Sequence, residues 1–285
     1  MQSQRRSAQW AKFAVYAALI VLSIPALLPL VWMISTSLKG NEQIYTSGGA
    51  QPFSFDQLLP HPVQWSNYGE ALQTMPFLTY LRNTVLLCLV SIVGAVGSSA
   101  IVAYGFARIN FRGRNTMFFV MIATMALPGQ VTMIPVFNLF RHLGWYDTYL
   151  PLLVPSFFGS AFYIFLLTQF FRTVPAEMAE AARVDGAGEW RIFSTLVLPL
   201  SKSALAACAL FQFLGTWNDF FGPLLYINDP AKYTLAYGLQ QFLSLHSAKW
   251  SQLMAAATIF TVPIIVLFFF AQRTFIQGIA TTGGK

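Results

Sequence analysis

The sequence predicts an all-α membrane protein with six transmembrane helices and one large polar loop, and three observations predict it. Of 285 residues, 56% are hydrophobic and only 9% charged, with a mean hydropathy of +0.57. A soluble domain carries about 25% charged residues, so much of this surface must face lipid. Six apolar stretches reach the ~20 residues that a helix needs to cross a bilayer core. Between the fourth and fifth of them lies a charged segment with helical spacing, EMAEAARVDGAGEWRIFSTLVLPLSK at 177–202.

The first stretch, 13–38, is longer than the roughly 7 to 15 apolar residues of a signal peptide. Ser23 and Ala26 give no convincing cleavage site, so it reads as a retained span. An external loop follows over 39–76, with Gly48, Gly49, Pro52, Pro60 and Pro62 and a short helix expected from near Ser66. The next three spans are 83–107, 116–140 and 150–171. The fifth and sixth, 203–227 and 251–275, enclose a second external loop over 228–250. Pro25, Pro29, Pro128, Pro135, Pro151, Pro155 and Pro263 fall within spans, where neighbouring helices absorb the kinks. Cys88 and Cys208 sit in apolar stretches and read as small buried side chains, not as a disulfide or a metal site. With no internal repeat or soluble module, 1–285 reads as a single transmembrane domain.

Orientation follows from the Lys and Arg count in alternate loops. One side holds Arg5, Arg6, Lys12, Arg108, Arg112, Arg114, Arg172, Arg183, Arg191, Lys202, Arg273 and Lys285; the other holds Lys39, Arg82, Arg141, Lys232 and Lys249. Both termini and the polar loop, 173–202, are therefore expected in the cytoplasm. The net charge of +7 is a topology signal and gives no reason to expect a nucleic-acid partner.

The polar loop is longer than a reversal needs, since two to eight residues suffice. Pro175 suits a first helical turn, Glu177 the positive helix end, and Ala176, Ala179, Ala181 and Ala182 favour helix while keeping the face small. Asp185 and Gly186 supply the stop. A second short amphipathic helix is expected over 189–196, with Pro199 restarting the chain toward the fifth span. A helix pair that docks into another protein and a hairpin lying on the membrane surface fit this periodicity equally well.

Glu180-Ala181-Ala182, then Gly186 after three residues, then Leu196 and Leu198-Pro199 resemble the EAA signature of inner-membrane permease subunits of ABC importers, with Leu196 where the family usually has Ile. LPGQVTMIPVF at 127–137, LGWYDTYLPLLVP at 143–155 and NYGEALQTMPFLTYLRNT at 67–84 extend the resemblance to the carbohydrate-uptake branch, in particular its maltose-type six-span subunit. Ser203, where many relatives have Pro, departs from the pattern.

The resemblance implies the type I importer (MetI-like) fold, with a cytoplasmic coupling-helix loop in a prokaryotic inner membrane. It implies a heterodimer with a homologous second permease, two cytoplasmic ATPase subunits and an external solute-binding protein. Glu180, Ala181, Ala182, Arg183, Asp185, Gly186, Ala187, Leu198 and Pro199 would form the ATPase-coupling element, with Glu180 and Arg183 at the rim of the ATPase cleft. Gly283, Gly284 and Lys285 would end a tail that reaches between the ATPases, unless that end is disordered. No catalytic residue, metal ligand or cofactor is expected on this chain. It has no G-x-x-x-x-G-K-[ST] phosphate cradle, so ATP and Mg²⁺ belong to the partner ATPases. His61, His142 and His246 lack ligand spacing. Trp217, Asn218 and Asp219 are candidates for the substrate path, against the plainer reading of an interfacial Trp and a packed Asp.

The solute implied is a sugar or oligosaccharide; a polyol, a glycerol phosphate or an acidic oligosaccharide are alternatives within the same family. A different class, an ion-coupled secondary transporter, would need ionisable groups near mid-membrane, and only Asp219 comes close.

Overall fold

A computed structural model describes residues 2–47, 58–243 and 249–282, all helical or loop apart from one isolated bridge position. The helices are α1 Gln2–Ser37, α2 Asn41–Ser47, α3 Ser66–Thr74, α4 Phe77–Arg108, α5 Arg114–Thr124, α6 Gly129–His142, α7 Leu150–Leu153, α8 Ala161–Thr173, α9 Ala176–Val184, α10 Glu189–Ile192, α11 Leu198–Leu200, α12 Lys202–Trp217, α13 Phe221–Tyr226, α14 Leu235–Gly238 and α15 Trp250–Thr282. Four segments are long and apolar enough to cross a membrane: Lys12–Ser37, Phe77–Arg108, Leu150–Thr173 and Trp250–Phe270. Two bent pairs raise the number to six if each is one span.

Both bent pairs depart from the continuous, at most kinked, spans that the sequence suggests. The third span breaks by 93° between α5 and α6. Pro128 removes a donor and biases Leu127 away from helix, and it stands at the head of α6 in an extended conformation. The fifth span ends at Trp217, ten residues before the expected 227, and resumes as the short α13. Its approach is also bent, by 79° between Glu189–Leu200 and Lys202–Trp217. The restart expected at Pro199 comes at Ser201, between α11 and α12. Pro199 lies inside α11, directly after a π-helical turn at Phe193–Val197, where the usual hydrogen-bond ladder is already interrupted and one missing donor costs less.

The chain divides into two compact units, Met1–Pro76 with Leu239–Val262 and Phe77–Gly238 with Pro263–Lys285. In the first, polar side chains tie the expected short helix α3 to its neighbours. Asn67 Nδ2 donates to the carbonyls of Ser37 and Lys39, each at 2.9 Å, and Gln252 Nε2 donates to Glu70 at 2.5 Å.

The second unit is built around α4. One side of α4 carries small residues, Gly94, Ala95, Ser98 and Ser99, and the irregular stretch 154–160 lies against them. Non-helical backbone at membrane depth must find partners within the protein. Here Ser99 Oγ accepts from the Ser160 amide at 3.0 Å, and Ser98 Oγ donates to the Ser156 carbonyl at 3.3 Å. The buried core joins Ala103, Tyr104 and Phe106 of α4 to Leu167 and Phe171 of α8 and to Ala204 and Cys208 of α12. Cys88 and Cys208 are buried and unpaired.

On the side that the charge count assigns to the exterior, Asp147 clamps the 226–232 segment. Its carboxylate accepts from the amides of Asp229 at 2.9 Å and Asn228 at 3.0 Å and pairs with Lys232 at 3.2 Å. Those amides, more than the lysine, hold its pKa below the usual carboxylate range. The resulting stabilisation is present above the ordinary Asp value and is lost as pH falls through the lower folded one.

A Cβ at Gly94 would stand 2.6 Å from Ser156 Oγ and 2.9 Å from the Phe157 ring, whereas one at Gly97 meets nothing within 4 Å. Gly94→Leu is expected to destabilise by about 1–3 kcal/mol, while Gly97→Leu leaves thermal unfolding in detergent unchanged. Equal melting of the two variants would refute this close approach.

Candidate functional site

The polar loop grows out of the core of the second unit. Ala179 of α9, Ile192 of α10 and Phe193 and Val197 of the π-helical turn are buried with Tyr104, Phe106 and Phe171, and Ala182, Ala187, Leu196 and Leu198 pack against that cluster. The loop is therefore anchored along one face. The EAA triplet is split by this anchoring: Ala182 turns inward, Glu180 and Ala181 outward.

Between α9 and α10 the chain reverses at Gly186, whose φ is +81°. The Gly186 amide donates to the Arg183 carbonyl at 3.0 Å and the Ala187 amide to the Ala182 carbonyl at 2.9 Å. This pair of bonds is the Schellman arrangement, which satisfies carbonyls at a helix end and demands a left-handed residue at the glycine position. Asp185 is the C-cap before the turn, with its own amide bonded to the Ala181 carbonyl at 3.0 Å.

The reversal returns Glu189 to the side of Arg183. Arg183 Nε donates to Glu189 Oε1 at 2.7 Å, and Tyr104 Oη donates to Glu189 Oε2 at 2.6 Å. One carboxylate thus joins both short helices to α4. One turn below Tyr104, Arg108 donates to the Phe171 carbonyl at 2.6 Å and also to that of Val174. These carbonyls belong to the end of α8, where no intrahelical donor remains.

Arg183, expected at a partner-facing rim, is thus turned onto Glu189, because the Gly186 turn brings residue 189 back beside it. The outward face consists of Glu177, Glu180, Ala181, Val184 and Asp185, with Met178 and Trp190 also exposed. Val184 is 88% and Trp190 67% exposed. Pro199 is exposed and Leu198 half-buried. Gly283, Gly284 and Lys285 lie outside the described residues, as do Gly48, Gly49, Pro52 and His246.

The substrate-path candidates separate. Trp217 is 2% exposed, stacked on Phe213 with ring centroids 5.2 Å apart. Asn218 is exposed and donates to the Leu214 carbonyl of its own helix at 2.8 Å. Asp219 lines a small cavity and accepts from the Gly222 amide at 2.9 Å near the start of α13. The three do not form one surface. Among the described residues, no group of three His, Cys, Asp or Glu side chains is placed to hold a metal ion.

Tyr104, Arg108 and Glu189 were not legible as site residues. The 183-to-189 spacing fits no helical period, and the partners on α4 are some eighty residues away. A tyrosine and an arginine four apart at the end of an apolar span were the one available signal.

Residues 95–281 match the family model described as binding-protein-dependent transport system inner membrane component. The chain is 31% identical to the diacetylchitobiose uptake system permease protein NgcG of Streptomyces coelicolor, over 90% of this chain and 84% of that protein. It is 28% identical to the maltose/maltodextrin transport system permease protein MalG of Photorhabdus laumondii, over 99% and 98%. The crystal structure of a bacterial ABC transporter involved in import of the acidic polysaccharide alginate contains a chain that superposes with a TM-score of 0.77 at 26% identity, covering 95% of this chain and 98% of that one.

Tyr104→Phe keeps the ring, whose centroid lies 5.1 Å from that of Phe193, and deletes only the donor to Glu189. It should destabilise by about 1 kcal/mol, and amide exchange over 189–192 should quicken roughly five-fold. Adding Arg183→Gln should cost less than the sum of the two single changes, because both act on one carboxylate. Strict additivity would mean that the two bonds are independent.

Proposed function

This chain belongs to the family of inner membrane components of binding-protein-dependent transport systems, and from that premise we propose that it is the permease half that carries a sugar or oligosaccharide through an ATP-driven importer. The relatives named for diacetylchitobiose, maltose/maltodextrin and alginate transport support a saccharide cargo. A homologous second permease completes the path, an external binding protein delivers the solute, and two cytoplasmic ATPases hold ATP and Mg²⁺. The polar loop and both termini face the cytoplasm, in agreement with the lysine and arginine asymmetry.

The observation that carries the reading is the two-sided loop: an outward face of Glu177, Glu180, Ala181 and Val184 on a base buried in the core. A hairpin that merely lay on lipid headgroups would not need a core anchor and two polar ties to α4. Seated in an ATPase cleft, α9 receives the displacement of the closing ATPase dimer. The Arg183–Glu189–Tyr104 bonds and the buried Ile192 and Phe193 pass it to α4. The span moves as a body because packed cores shift between discrete arrangements and do not deform continuously. Glu180 makes a polar contact at the cleft rim, Ala181 allows close approach, and Gly186 sets the angle between the two short helices. Leu198 and Pro199 join the loop to α12, and the tail through Gly283, Gly284 and Lys285 adds a second contact with the ATPases.

A Cβ at Gly186 would meet no atom within 4 Å, yet Gly186→Val forces a β-branched residue to positive φ at about 1–3 kcal/mol. Solute uptake and binding-protein-stimulated ATP hydrolysis should then fall together, with membrane insertion intact. Glu180→Lys, which reverses a charge on the exposed face, should act in the same way. Full uptake by Gly186→Val in a complex that retains its ATPases would contradict the coupling role.

A further inference from the structure

The second unit contains a cavity of about 220 Å³ on the α12 side, between Leu87 of α4 and Leu152 of α7, and its lining is polar: Gln212, Thr216, Asp219 and Thr234. The first three are spaced i, i+4 and i+7, so they form one ridge along and just beyond α12. Internal contacts use only part of their capacity. Gln212 Nε2 donates to Thr216 Oγ1 at 3.1 Å, Thr216 Oγ1 and Ser91 Oγ stand 3.3 Å apart, Thr234 Oγ1 accepts from the Tyr237 amide at 3.4 Å, and the Asp219 carboxylate accepts from the amides of Gly222 and Phe221.

Asparagine or serine would also cap the two amides at the start of α13, without a charge. What a carboxylate adds is a second strong acceptor, and two glycines leave room around the site. A Cβ on Gly222 would stand 2.4 Å from Asp219 Oδ2, so only glycine leaves the carboxylate where it is. Gly215, also on the wall, faces open space within 4 Å, although glycine weakens a helix. A carboxylate has about four acceptor positions, of which two amides take two, so Asp219, the Gln212 carbonyl and the threonine oxygens make the wall rich in acceptors. It contains one carboxylate and no lysine or arginine among its described residues.

We infer that this notch is a solute subsite for one ring of a neutral saccharide, and that Asp219 selects against anionic solutes. The inference rests on the importer reading above and narrows its substrate class. Vicinal hydroxyls donate in pairs to a carboxylate and singly to the Gln212 carbonyl and the threonine oxygens. A phosphate or uronate would instead bring like charge beside Asp219, in a setting where water screens it little. The volume lies below the ~300 Å³ of drug-sized sites, which suits a single ring passing through and not a whole chain held at once.

The test uses the complete complex, with both permeases, the ATPases and the binding protein, in proteoliposomes. The probes are radiolabelled maltose, diacetylchitobiose and glycerol 3-phosphate. The expected result is uptake of at least one neutral disaccharide and not of glycerol 3-phosphate. Thr216→Val and Gln212→Leu should each raise KM roughly two- to ten-fold, and Thr216→Ser, which keeps the hydroxyl, should restore it. Gly215→Leu, which fills the mouth without backbone strain, should slow uptake about ten-fold or more. Neutral uptake with KM and rate unchanged in Thr216→Val and Gly215→Leu overturns the subsite and leaves the importer reading standing. Preferred uptake of glycerol 3-phosphate by the unaltered complex overturns the selection by Asp219. Uptake of no probe, with no stimulation of ATP hydrolysis by the binding protein, overturns the importer reading and the subsite together.

Discussion

Two side chains one turn apart at the end of α4, Tyr104 and Arg108, hold the structure on which any coupling must depend. Arg108 binds the carbonyls of Phe171 and Val174, at the end of α8 and the start of the polar loop, and Tyr104 binds Glu189, at the head of its second helix. Neither position is exchangeable. A lysine at 108 offers a point charge in place of a fork that spans two carbonyls, and a phenylalanine at 104 leaves the Glu189 carboxylate to Arg183 alone. With both ties made, the start and the middle of the loop are held on one long helix.

The bilayer explains why α4 has this role. Backbone groups in hydrocarbon must be satisfied within the protein, so a span that breaks needs a neighbour that supplies polar atoms at the break. α4 supplies them along its whole length. Asn83 Nδ2 donates to the Ala231 and Tyr233 carbonyls, Thr84 Oγ1 accepts from the Leu235 amide, and Ser98 and Ser99 serve the 154–160 stretch. Small residues bring those segments close, so the helix that carries the loop also carries the irregular backbone near the α12 cavity. The loop, the cavity and the clamped 226–232 segment therefore share one mechanical element.

Much of this was legible in the sequence where the signal was local. The glycine stop at 186, the short helix from Ser66, the buried cysteines and the all-α membrane class each follow from residues within a few positions of one another. Non-local signals were not legible. Pro128 and Pro199 look alike as helix punctuation, yet the 93° break falls at Pro128 itself, whereas Pro199 sits inside α11 and the 79° bend comes after Leu200. The difference lies in the π turn before Pro199, which no propensity marks. Trp217, Asn218 and Asp219 adjoin in sequence and point to three environments, because successive residues at a helix end face directions about 100° apart.

A coupling role for the loop requires that the outward face of α9 meet a protein. Val184 is 88% exposed at the centre of that face and touches nothing that holds the loop together. A photoreactive cross-linker on Val184→Cys in the assembled complex should capture an ATPase subunit, and the capture should change with addition of ATP. Labelling of lipid alone, with ATPases bound elsewhere on the complex, would contradict the coupling role of this loop.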